Sequence, residues 1–235
     1  MQTKLESLPL EKIETEAAIL VVFEGAAAEK LPEAQKAFAE SGEVAGKPAE
    51  LTLIHNPGGL KAKRLLVAGA GKREKFTPNE LRKIAGTAVR FLKGRTIKTA
   101  ALFLDGDLAS AQNVDAAVTG ALAGNYEPDQ YKTDKENHKR MERFTIAASG
   151  NPDLERAVER ATIVGEAQNL ARDLANEPAN RLTPMMLVDR ARQIAAEAGL
   201  ECEVLERERM QELGMGALLG VAQGSAEPPA LIVLR

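Results

Sequence analysis

The chain has 235 residues, enough for one large domain or two small ones with a real apolar core. Hydrophobic residues make up 44% and charged residues 28%, while aromatics are only 3% with no Trp, so the core must be built from Ala, Leu, Val and Ile, and the scarcity of aromatics argues against a base-stacking surface for single-stranded nucleic acid. The formal charge is −3, and no block of like charge is long enough to mark a nucleic-acid or membrane patch.

The N-terminal "MQTKLESLPLEKIETEA" has no apolar h-region, so it reads as no signal peptide. No apolar run reaches membrane-spanning length. The first element is "AAILVVFEG" (17–25), a short β-branched run ended by glycine, which predicts a buried strand. "KLPEAQKAFAESG" (30–42) has helical spacing and a glycine stop. "AELTLIH" (49–55) and "RLLVAGAG" (64–71) predict two more strands, with "NPGG" as a turn between them.

"TPNELRKIAGTAVRFLKG" (77–94) is a well-signed helix: Thr77 is the N-cap, Pro78 takes the first helical position, and Glu80 completes a capping box. "IKTAALFLD" (97–105) predicts a strand, "SAQNVDAAVTGALAGNY" (110–126) a helix, and "RFTIAAS" (143–149) the last strand of this half. The polar run "YKTDKENHKRMER" (131–143) mixes both signs and reads as a solvated loop. Strands alternating with helices imply a mainly parallel sheet covered on both faces, a compact α/β domain over residues 1–150.

Asn151 and Pro152 open the next element, and "DLERAVERATIVGEAQNLARDLAN" then runs unbroken from 153 to 176. Such a helix is on the order of 35 Å long, enough to link two domains. Leu154, Val158, Ala161, Val164 and Leu170 give it a helical apolar rhythm. It stops in "LANEPANRLTP" (174–184), where the first proline removes a backbone donor and Asn176 and Asn180 can bond nearby backbone. Thr183 and Pro184 restart a helix that runs to Gly199. "LECEVLE" (200–206) predicts a strand, "RERMQELG" (207–214) a short helix, and "ALIVLR" (230–235) a final strand. Two strands and two helices leave a sheet face and an edge open, so the second domain reads as unfinished, the front part of a longer protein.

Individual residues yield no catalytic set. The lone Cys202 has no disulfide partner, fits a reducing compartment, and sits in an alternating strand as a small core side chain. "VAGAGKREKFT" (67–77) looks like a phosphate loop, but Leu66 stands where the first glycine is needed and Arg73 where Ser or Thr should follow Lys72. It reads as a strand-to-helix turn, with a ligand role for the amides of Gly69 and Gly71 left open. Asp105 and Asp107 could hold a metal, but no further ligand lies at useful spacing, and Ser110 explains that stretch as a helix cap. His55 and His138 lie far apart with no zinc pattern around them. Ser225 lacks a nucleophile-elbow frame.

One constellation is distinctive. "NLARDLANEPANRLTP" carries Asn176, Pro178, Asn180, Thr183 and Pro184, and a later glycine-rich block carries Gly214, Met215, Gly216, Gly220, Gln223, Gly224 and Ser225. Together they resemble the leucyl aminopeptidases, the cytosolic two-metal aminopeptidases of peptidase family M17. The match is specific over about residues 165–234 and rests on element order before that. The resemblance implies an N-terminal macro-like three-layer α/β domain (1–150), a linking helix (151–176), and the start of a zinc-peptidase-like α/β catalytic domain (177–235), incomplete at its end. It implies a metallo-exopeptidase that releases N-terminal residues from peptides, a cytoplasmic location, and a homo-oligomer, a hexamer in the family. No membrane partner is implied, and nucleic acid is disfavoured.

In the family, two divalent metals, Mn or Zn, are held by a lysine, three aspartates and a glutamate that follow the strand matching "ALIVLR". Their Gly-Lys-Gly and Asp-Ser-Gly-Gly segments occur nowhere in this sequence. No catalytic or metal-binding residue is therefore assigned here, the substrate-binding residues are unknown, and residues 1–235 alone are expected to bind no metal and to be inactive. Two other readings stay open: the first domain as a nucleotide or nucleic-acid binding module centred on Gly69–Gly71, and the same domain as an oligomerisation module.

Overall fold

The computed structural model describes residues 1–129, 131–133, 139–148 and 152–235. His138, Ser149 and Asn151 lie outside the described residues, as does the middle of the polar run. The chain divides into two compact units, Met1–Ala171 and Arg172–Arg235.

The first unit is built on six strands: β1 (Gln2–Glu6), β2 (Ala17–Val22), β3 (Leu51–His55), β4 (Arg64–Gly69), β5 (Thr99–Phe103) and β6 (Arg143–Ala147). Their order across the sheet is β1-β6-β5-β2-β4-β3. All pairings are parallel except β3 with β4, where His55 faces Arg64 and Leu51 faces Ala68. The "NPGG" turn joins these two directly, which forces the antiparallel pairing. β1 is the strand that composition hides: "QTKLE" is polar, partly exposed, and takes the sheet edge against β6 alone.

β2 is buried along its whole length because both faces of the sheet are covered. Ala17, Ile19 and Val21 enter one apolar cluster, and Ala18, Leu20 and Val22 the other. On the first face lie the helices α3 (Pro78–Gly94), α4 (Ala111–Asn125) and α5 (Pro152–Asn176), which contribute Leu81, Val89, Val114, Val118 and Leu154 to the core. On the second lie α1 (Ala27–Lys30) and α2 (Lys36–Glu40), with Leu10, Ile13, Leu31 and Val44. The expected single helix over 30–42 is therefore split. Pro32 forces Leu31 into an extended conformation (φ −69°, ψ 140°) and a 3-10 turn over Glu33–Gln35 follows.

The predicted helix starts hold. The hydroxyl oxygens of Thr77 and Ser110 accept from the backbone N–H of Glu80 and Asn113 at 3.4 and 3.3 Å. The Glu80 side chain pairs with Lys83 at 2.7 Å, so the reciprocal half of the capping box is given up to an i,i+3 ion pair. Ser110→Ala should lower the unfolding free energy by about 1 kcal/mol in urea titration, and Ser110→Asp should retain it.

α5 buries Leu154, Ala157, Val158, Ala161 and Gly165. Of the apolar rhythm read in the sequence, Val164 and Leu170 are 47% and 41% exposed, so only the first turns of the helix follow it into the core. The described ends of the polar run are anchored too: Met141 is buried, and Arg140 pairs with the buried carboxylate of Asp129. The other described residues of the run, 131–133, 139, 140, 142 and 143, are exposed, as expected of a solvated loop, and Met141 alone of them is buried.

In the second unit, α6 (Pro184–Ala198) packs Val188, Ala191 and Ala195 inward and ends on Gly199, whose φ of 68° is the left-handed stop. Thr183 caps its start, accepting from the Met186 N–H at 3.4 Å. β7 (Cys202–Leu205) pairs antiparallel with β8 (Leu231–Leu234). Across that pair Arg235 meets Glu203 at 2.6 Å, and this hydrogen bond raises the guanidinium pKa above its ordinary value. Between the strands stand α7 (Arg207–Glu212) and α8 (Gly216–Ala222). Cys202 is half-buried rather than a core side chain.

Candidate functional site

The ligand role left open for the amides of Gly69 and Gly71 fails on hydrogen bonds. The Gly69 N–H donates to the Glu50 carbonyl (2.9 Å), Ala70 to Val22 (2.8 Å) and Gly71 to Gly46 (2.8 Å). The segment 44–50 lies across the loop so closely that a Cβ on Gly69 would sit 2.0 Å from the Lys47 carbonyl oxygen. These amides cannot cradle a phosphate, and Gly69–Gly71 is no ligand site.

The crevice lies one strand away. The chain leaves β2 toward β3 and β4 and leaves β5 toward β6, on opposite sides, so the ends of these neighbouring parallel strands form a topological switch point. There a cleft of about 520 Å³ opens. Phe23 and Glu24 enter it from the end of β2, Asp105 and Asp107 from the end of β5, and Lys30 from α1. Arg73 comes from the turn after β4, its guanidinium 4.4 Å above the Phe23 ring. Phe76 meets Phe23 edge to face, with centroids 5.2 Å apart, and holds that ring in place.

Asp105 and Asp107 are each engaged by a cation: Lys30 pairs with Asp105 and Arg73 with Asp107. Ser110 caps α4, as expected. Among the described residues no group of three or more His, Cys, Asp or Glu could hold a metal ion. The donor set therefore does not fit a two-metal centre. His55 is exposed at the end of β3, and Ser225 is exposed after α8.

A second groove, about 680 Å³, runs between the starts of α3, α4 and α5. Its arginines are internally satisfied: Arg82 donates to Gln168 (2.8 Å), Arg160 pairs with Asp115 (3.3 Å) and Arg156 with Asp153 (3.6 Å). It ties α5 to its neighbours.

Together these features define a three-layer α/β unit with a strand-end crevice, followed by a small α/β unit. The first matches the cytosol aminopeptidase family's N-terminal domain over residues 13–135, just over half the chain. The family's catalytic domain matches residues 169–235. The chain belongs to the cytosol aminopeptidase family.

It is 54% identical over 235 residues to a probable cytosol aminopeptidase of Solibacter usitatus (strain Ellin6076), covering 100% of this chain and 48% of that protein. A probable cytosol aminopeptidase of Koribacter versatilis (strain Ellin345) is 37% identical, with 100% and 52% covered. The chain thus spans about half the length of the curated relatives it matches. Among solved structures, the bottromycin maturation enzyme BotP in complex with Mn is 30% identical with a TM-score of 0.75, over 94% of this chain and 45% of that one. A tomato leucine aminopeptidase mutant shares the fold, with a TM-score of 0.84 at 23% identity, over 100% of this chain and 50% of that one.

Proposed function

We propose that this chain supplies the N-terminal region and the opening of the catalytic domain of a metal-dependent aminopeptidase, which releases N-terminal amino acids from peptides. What carries the reading is the order of the two family matches, N-terminal domain at 13–135 and catalytic domain at 169–235, on one chain. We divide it as an N-terminal domain (1–150), a linking helix (151–176) and the first part of the catalytic domain (177–235). The N-terminal domain is proposed to be macro-like. The whole protein is proposed to act on peptides in the cytoplasm as a homo-oligomer, hexameric as in the family. Two divalent metals, Mn or Zn, would supply Lewis-acid activation of water. The described residues of this chain do not form that centre, so its ligands are assigned to the part of the relatives' length that the match does not reach.

The test is hydrolysis of an amino-acid anilide in added manganese. A chain extended to the full length of the relatives should turn over, and residues 1–235 should not. Turnover by residues 1–235 alone, or none by the extended chain, would refute the proposal. The nucleotide-module reading loses its site, since the amides of Gly69 and Gly71 are closed off by residues 44–50.

A further inference from the structure

We infer that the cleft at the ends of β2 and β5 binds a basic α-amino acid, with free L-arginine as the type ligand. Its place is the one where open α/β sheets hold ligands, and its volume of about 520 Å³ lies within the roughly 300–1,000 Å³ range of small-molecule sites.

The lining chooses the ligand's charge. Glu24, Glu29, Asp105 and Asp107 face two cations, Lys30 and Arg73, so the walls carry a surplus of two carboxylates. With the neighbouring glycine amides also engaged, a pyrophosphate or other polyanion is repelled. A divalent metal is not favoured either, because the carboxylates do not converge on one point. What remains is an organic cation.

The arrangement of the charges narrows this further. Lys30–Asp105 and Arg73–Asp107 are two cation–carboxylate pairs on the wall of one cleft. Their side chains are 30% and 46% exposed in the first pair, and 44% and 75% in the second. Pairs so exposed contribute little to stability, so exchanging partners with a ligand is easy. A zwitterion matches that template: its ammonium replaces a cation beside Asp105 or Asp107, and its carboxylate takes up the released Lys30 or Arg73. The apolar stem lies against Phe23 and Leu108. The terminal cation of the side chain answers the two carboxylates left over, Glu24 and Glu29. Nothing in this inference depends on the aminopeptidase reading.

The experiment is an amide-resolved NMR titration of residues 1–235 with L-arginine, L-citrulline and ADP-ribose. L-Arginine should give saturable shifts confined to the amides of residues 23–30, 73 and 105–108. L-Citrulline, which keeps the zwitterion but loses the side-chain cation, should bind about tenfold more weakly. The exposed-site variants Glu24→Gln and Asp107→Asn should each weaken L-arginine by at least about fivefold. Shifts that fail to saturate or spread over the whole surface would overturn the inference. So would equal affinity for citrulline, unchanged affinity in both variants, or ADP-ribose saturating the same amides more tightly than L-arginine.

Discussion

Replacing Gly120 with alanine is expected to lower the unfolding free energy by about 3 kcal/mol, although alanine favours a helix interior by about 1 kcal/mol over glycine. The reason is the seam between α3 and α4. A Cβ on Gly120 would stand 2.1 Å from the carbonyl oxygen of Arg82, and one on Gly124 would stand 2.3 Å from that of Gly86. Both neighbours are backbone atoms of the facing helix, so no side chain can rotate away. The helices must part, and they carry Leu81, Val89, Val114 and Val118 with them. Gly94, at the end of α3, has among the described residues no heavy atom beyond its own chain neighbours and helix backbone within 4 Å of its Cβ position, so Gly94→Ala should be neutral or stabilising by up to about 1 kcal/mol. Urea unfolding of the two variants reads opposite signs. A Gly120→Ala midpoint equal to that of the parent would mean that the helices are not in backbone contact.

That seam shows what local pattern reveals and what it omits. The helix over 110–126 was readable from Ser110 and its apolar spacing, and it forms as Ala111–Asn125. What the glycines do inside it depends on a partner helix 38 residues away in sequence, Gly120 meeting Arg82 and Gly124 meeting Gly86. Strands rich in β-branched residues, such as Ala17–Val22, declared themselves because both of their faces are buried. Gln2–Glu6 did not, since an edge strand with one partner needs little apolar content. Pro32 was visible, yet a helical rhythm on both sides of it masked the break.

The crevice was harder to read. Asp105 and Asp107 attracted notice as carboxylates after a strand, and Gly69–Gly71 as a glycine turn. Which of them faces open space is decided by long-range geometry. Residues 44–50 cross over the glycines, and the reversal of strand order beside β2 opens the carboxylates to solvent. Phe23, Lys30 and Arg73 join them from three separate connections, so no window of sequence holds the set. The family signal, by contrast, was local: the "NEPANRLTP" joint and the glycine-rich block fall within the 169–235 match.

Asn125→Ala is the second large loss, expected at roughly 3 kcal/mol. The side chain closes α4 onto the strand that follows the polar run. Its Oδ1 accepts the Met141 N–H at 2.7 Å, and its Nδ2 donates to the Met141 carbonyl at 3.0 Å. Both bonds are buried, so truncation strands a donor and an acceptor away from water, and each such group costs about 1–3 kcal/mol. The Asn125 carbonyl also accepts from the buried ammonium of Lys93 at 3.3 Å, while Glu127 pairs with that ammonium at 2.7 Å, so the backbone on which the amide stands is held. Because Glu142 and Arg143 enter the sheet through the Lys98 carbonyl directly after Met141, loosening this point frees the start of β6. Asn125→Leu separates the causes. It restores the volume but not the hydrogen bonds, so it should lose as much stability as alanine in urea, with an unchanged m-value. If leucine instead returns the parent's stability, packing rather than the two hydrogen bonds holds Met141 in place.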